Sequence, residues 1–106
     1  MKAKKKHKRT LAVDISQKVK KEVFKRDGGC CIFCGTPYAM PNAHVIPRSK
    51  GGLGIATNIV TACFNCHSQM DNSVLRKEYL NKAKKYLLKK YPDWKEENQI
   101  YNKYEQ

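Results

Sequence analysis

Acidic residues are scarce in this chain. Nine Asp and Glu stand against 22 Lys and Arg in 106 residues, for a formal net charge of +13 and a pI near 9.7. Self-repulsion on that scale in a small domain is relieved most readily by phosphates, so the imbalance points to a polyanion, and double-stranded DNA is the expected partner. An anionic membrane fits less well, because no Lys-rich helix also carries a clean Trp/Phe/Leu face. Long apolar runs are missing too. Directly after the basic start the apolar run is only Leu11 to Val13, too short for a signal-peptide core or a membrane span, which sets the expectation of a cytoplasmic protein. Repeats, a phosphate-binding P-loop and a dinucleotide fingerprint are all absent, which excludes solenoid, nucleotide-hydrolase and Rossmann readings. With so much of the chain given to Lys and Arg, the apolar core is small and needs a staple.

Cysteine supplies the candidate. There are five, an odd number, and four fall into two Cys-x-x-Cys pairs, Cys31/Cys34 and Cys63/Cys66, a spacing that in a cytosolic chain reads as a structural zinc site and not as a disulfide framework. Two thiolates reach one tetrahedral ion when two residues separate them, and Gly35 lets the backbone fold under the sulfurs. Cys30 breaks the pattern and reads as a spare thiol; the alternative, Cys30 replacing Cys31 as ligand, gives a spacing that suits a knuckle less well. The 28 residues between Cys34 and Cys63 exceed the roughly 15 to 20 of an ordinary zinc ribbon, so something is built into the gap.

The gap reads as a β-hairpin leading into a helix: a strand over Ala43 to Ile46 stopped by Pro47, a glycine-rich loop over Ser49 to Gly54, a strand over Asn58 to Ala62, and a helix from Phe64 to about Met70. His44 then sits on the first strand, Asn58 opens the second, and His67 lies on the helix with Asp71 one turn further along the same face. A divalent ion held by His67 and Asp71 opposite a strand histidine is a hydrolytic site in outline. The other reading of Asp71 is a cap or ion pair for the following helix.

On either side, residues 1 to 15 are expected to form a basic, disordered arm whose first nine residues hold six Lys or Arg and no acid, serving either solubility or contact with a phosphate backbone. Residues 16 to 27 read as a short amphipathic helix capped by Ser16, with Val19, Val23 and Phe24 on one face and Gly28-Gly29 as its stop. Beyond Asp71, Ser73 is a possible cap for a long basic helix with Leu75, Tyr79, Leu80, Ala83, Leu87 and Leu88 on its apolar face and Pro92 ending it. Trp94, Ile100 and Tyr101 are expected to fold back on the core. The domain is read as residues 16–106, with its core over about 26–72 and its C-terminal helices over 73–106.

The segments RDGGCCIFCG, AHVIPRSKGGLG and CFNCHSQMDN, with Asn58 between them, resemble the HNH endonuclease family in its four-cysteine zinc branch, and are similar to small HNH proteins of phages and prophages. The resemblance implies a small α+β fold, a ββα-metal core stapled by one Zn²⁺, flanked here by an N-terminal helix and a long basic C-terminal helix. It implies a nuclease that nicks DNA with Mg²⁺ or Mn²⁺, leaving a 5′-phosphate and a 3′-hydroxyl, with His44 as general base, Asn58 positioning that base or its loop, and His67 on the catalytic ion. Family members often carry a metal-ligating residue just before the first His; here it is Ala43, so Asp71 is the expected second ligand. A monomer with low sequence specificity is expected, acting in a host bacterial cytoplasm on phage DNA in processing or packaging, with packaging proteins as partners by resemblance only. Arg48 and Lys50 are expected nearest the scissile strand, with Lys4, Lys5, Lys6 and Arg9 along the backbone. The alternative is a non-catalytic zinc-finger DNA-binding protein.

Overall fold

A computed structural model describes residues 8–102. The elements run α1 (Lys8–Val13), α2 (Gln17–Arg26), β1 (Met40–His44), β2 (Ile59–Ala62), α3 (Phe64–Asn72) and α4 (Arg76–Lys90), with short 3₁₀ turns at Arg48–Lys50, Ala56–Asn58 and Glu96–Gln99. None of the helices among the described residues is long and apolar enough to cross a membrane. The fold is small α+β, as expected, with helices on a two-stranded antiparallel sheet.

In α2, the Ser16 side chain accepts the Val19 N–H at 3.2 Å, and Gly28 and Gly29 turn the chain at φ 71° and 70°. Both are values that only glycine adopts freely. Val23 is wholly buried, and α2 lies across both strands. At its end Arg26 grips Asp27 through two bonds of 2.7 and 3.0 Å and donates to the carbonyls of Ala56 and Ile59, while Asp27 accepts from Tyr86 Oη and the Thr61 N–H. One buried ion pair with its hydrogen bonds satisfied thus ties α2, β2 and α4 together, a junction that local sequence pattern does not reveal.

The strands pair Met40 with Ala62, Ala43 with Val60 and His44 with Ile59, with a register irregularity between Met40 and Ala43. Pro41, which lacks an N–H for the ladder, falls in that irregular step. The first strand therefore begins and ends earlier than the expected Ala43 to Ile46. Val45 and Ile46 leave the strand but remain buried, and Asn58 belongs to a 3₁₀ turn instead of opening β2.

Further expectations need correction. The arm over residues 1–15 is not disordered throughout, because Lys8–Val13 form α1 and bury Val13 against the loop that follows β1; the expectation for Lys4, Lys5 and Lys6 lies outside the described residues. Ser73 does not cap α4 but closes α3, donating from its hydroxyl to the Gln69 carbonyl at 2.7 Å. Within α4, Ala83 and Leu87 are buried and Tyr79, Leu80 and Tyr86 pack on the core, whereas Leu88, and Leu75 just before the helix, are exposed and do not belong to the expected apolar face. The C-terminal segment folds back as expected: Trp94 Nε1 donates to the Thr57 carbonyl at 2.6 Å, and the Tyr101 N–H to the Gly51 carbonyl at 2.7 Å.

Candidate metal centre and hydrolytic cleft

The four paired cysteines meet. The Sγ atoms of Cys31, Cys34, Cys63 and Cys66 all lie within 4.8 Å of one another, with Cys34 and Cys63 3.7 Å apart. Four thiolates at about 2.3 Å from a tetrahedral Zn²⁺ stand roughly 3.8 Å from each other, so the cluster fits that ion. Cys31, and not Cys30, belongs to the cluster. The knuckle closes through the Gly35 N–H on the Cys31 carbonyl and Gly35 at φ 79°. Cys63 caps α3, its sulfur accepting the Cys66 N–H at 3.4 Å. Burial raises the Cys31 thiol pKa, but backbone hydrogen bonds involving Cys63, Cys34 and Phe33 outweigh it and bring the value down to about 7. Burial and the neighbouring Cys63 and Cys31 thiols push Cys66 up. Four sulfurs this close cannot all ionise unaided, and a divalent cation removes that conflict.

His67 follows Cys66 directly, so the turn of α3 that the cysteines fasten also presents the histidine. Its Nε2 faces Asp71 Oδ2 at 3.2 Å across the (i, i+4) step. Adjacent ligands at about 2.1 Å from an octahedral ion lie roughly 3.0 Å apart, so this pair can hold Mg²⁺ or Mn²⁺ as well as form an ion pair. Both line an open cleft of about 700 Å³ that also receives His44, Asn42, Arg48, Lys20 and Arg76. Asn42 and His44, two apart on β1, share the cleft face, whereas Ala43 between them is wholly buried in the core. Position 43 is thus a packing position in this chain.

Nε2 of His44 lies 2.8 Å from the Val13 carbonyl. A carbonyl can only accept, so Nε2 carries the hydrogen and Nδ1 keeps its lone pair. Burial lowers the His44 pKa below the usual imidazole range, the Val13 bond opposes that shift, and the nearby Arg48 charge adds to it. The ring is neutral at pH 7, the state a base requires.

Asn58 does not reach the cleft. Wholly buried, it accepts the Ile46 N–H at 2.9 Å and donates to the carbonyls of Ile46 (3.2 Å) and Leu53 (2.8 Å), lashing the loop after His44 to the start of β2. Arg48 lines the cleft and is paired with Asp14 at 2.5 Å, whereas Lys50, on the same turn, is exposed outside the cleft lining. Arg9 donates to the Arg48 and Ser49 carbonyls.

Sequence reasoning missed Lys20, Asn42 and Arg76. The two-residue period of β1 could have found Asn42 beside His44. Nothing local marks Lys20 or Arg76, because which face of α2 or α4 borders the cleft depends on how those helices pack on the sheet.

Among known proteins, residues 31–81 match the family model of the HNH endonuclease. No curated protein matches the chain. The matched segment, just under half of the chain, holds all four clustered cysteines together with His44, Asn58, His67 and Asp71, and over that segment the chain is similar to the HNH endonuclease family.

Proposed function

We propose that this protein is a metal-dependent endonuclease that hydrolyses phosphodiester bonds of double-stranded DNA one strand at a time, with little sequence preference. The observation that carries the reading is the His44 ring, held at Nε2 by the Val13 carbonyl so that Nδ1 is its basic nitrogen, in the same cleft as His67 and Asp71. His44 Nδ1 takes a proton from a water, whose oxygen attacks phosphorus while the bond to the 3′ oxygen breaks. The leaving oxygen is protonated from solvent, giving a 5′-phosphate and a 3′-hydroxyl. Arg48, Lys20 and Arg76 border the same cleft and draw the phosphates of the strand into it. A divalent ion held by His67 and Asp71 supplies positive charge to the phosphate when bound. Zn²⁺ on the four cysteines has a structural role, since it fastens the first turn of α3.

The described residues present one such cleft, so relaxed circles should build up before linear DNA. The setting proposed is phage DNA processing or packaging in a bacterial cytoplasm, by a monomer. The test is cleavage of supercoiled plasmid across Mg²⁺, Mn²⁺, Co²⁺ and Ni²⁺ by wild type and His44→Ala in parallel. Nicking by wild type alone supports the reading; a gel shift without nicking under every ion makes the chain a non-catalytic zinc-finger DNA-binding protein instead.

A further inference from the structure

His44 and Arg48 are oriented by residues that lie outside segment 31–81. Val13, whose carbonyl holds His44 Nε2, is the last residue of α1, and Asp14, which holds Arg48, is the next. The loop grips α1 in return. The Gly54 N–H donates to the Ala12 carbonyl at 2.9 Å, and Arg9 reaches the carbonyls of Arg48 and Ser49 at 3.4 and 3.2 Å. A six-residue helix burying only Val13 has little stability of its own, so these contacts decide where its C-terminal carbonyls stand.

The closest approach is at Gly54, where a Cβ would run into the carbonyls of Asp14 and Val13. Gly54 is not among the glycines with positive φ. Its backbone would therefore accept alanine, and the demand for glycine comes from the proximity of α1 alone. We infer that α1 with Asp14, seated against Gly54, is a positioning element of the hydrolytic site that determines which nitrogen His44 turns to the cleft. This inference rests on the nuclease reading only for its kinetic readout.

Gly54→Ala in the full chain should lift the Val13 carbonyl and release His44 Nε2 while removing no side chain from the cleft. At saturating DNA and Mn²⁺ kcat should fall on the order of 10- to 100-fold, the loss that a misplaced catalytic group brings, with KM within about twofold. Long-range ¹H–¹⁵N imidazole spectra, taken without DNA, should show His44 as the single Nε2–H tautomer in wild type and as a mixture in Gly54→Ala. Arg9→Met, a surface change that frees the same segment, should act in the same direction but less, and the double variant should lose less than the product of the two single losses. An unchanged tautomer in both variants would overturn the inference, as would kinetic losses that multiply. The spectra keep the two readings apart: a wild type that cuts nothing sinks the nuclease, while the tautomer still decides the role of α1.

Discussion

Replacing Asn58 by alanine removes three heavy atoms from a wholly buried site and leaves the Ile46 N–H and the carbonyls of Ile46 and Leu53 without their partners. A buried group stripped of its partner costs about 1–3 kcal/mol, so three would exceed the stability of many small domains. The space left is about that of one water, however, and a water makes two to four hydrogen bonds at such sites. That reduces the expected loss to about 3 kcal/mol. With a urea slope of roughly 1–3 kcal/mol/M for a chain of this size, the unfolding midpoint should drop by roughly 1–3 M.

Asn58→Asp sharpens the test. The carboxylate can still accept the Ile46 N–H but now turns a second acceptor on the two carbonyls, so Asn58→Asp should be more damaging than Asn58→Ala at pH 7. Only the protonated carboxyl can donate, which raises its folded-state pKa above the ordinary carboxyl value; stability relative to the wild type should therefore recover as the pH falls. The assay is urea unfolding beside plasmid nicking, with His44→Ala as the variant that loses activity and keeps its fold. A wild-type midpoint for Asn58→Ala, or lost nicking at undiminished stability, would refute the assignment of Asn58 to the loop.

Three further outcomes are expected. Stripping Zn²⁺ with a strong chelator, or Cys66→Ser, should abolish the cooperative thermal transition because zinc binding is largely folding free energy here, whereas Cys30→Ser, outside the cluster, should leave it unchanged; a cooperative transition surviving complete zinc removal refutes the staple. Asp71→Ala should keep its fold but need much more Mn²⁺ for half-maximal nicking, and Asp71→His should work with Ni²⁺ or Co²⁺; normal nicking at low Mn²⁺ would remove Asp71 from the ligand set. Because burial holds the His44 pKa below the usual imidazole range, kcat/KM should stay level as the pH is lowered through about 6.5 and fall only below it, and the same shift makes the fold lose stability as the ring is forced to protonate; an acid limb centred at pH 7 or above contradicts this.

Local sequence was enough for the parts whose spacing is also their chemistry. Two Cys-x-x-Cys pairs must converge if they share an ion. The His67-Asp71 step is one helical turn, and Ser16 and Gly28-Gly29 bound α2 through backbone rules that act within a few residues. Local pattern also allowed the hairpin and α3 to be placed in order. It did not reveal the β1 irregularity, which depends on pairing with β2, or that Ala43 faces the core. The surroundings of the site came from packing between distant segments: Val13 selects the His44 tautomer from 31 positions away, Asn58 serves the loop and not the cleft, Asp14 holds Arg48, and Lys20 and Arg76 border the cleft where Lys50 does not. The reason is physical. Motif spacing specifies which groups can share one ion or one face, whereas a carbonyl at the end of α1 or a cation on α2 or α4 reaches the cleft only through long-range packing, of α1 on the loop around Gly54 and of α2 and α4 through the Arg26–Asp27 junction.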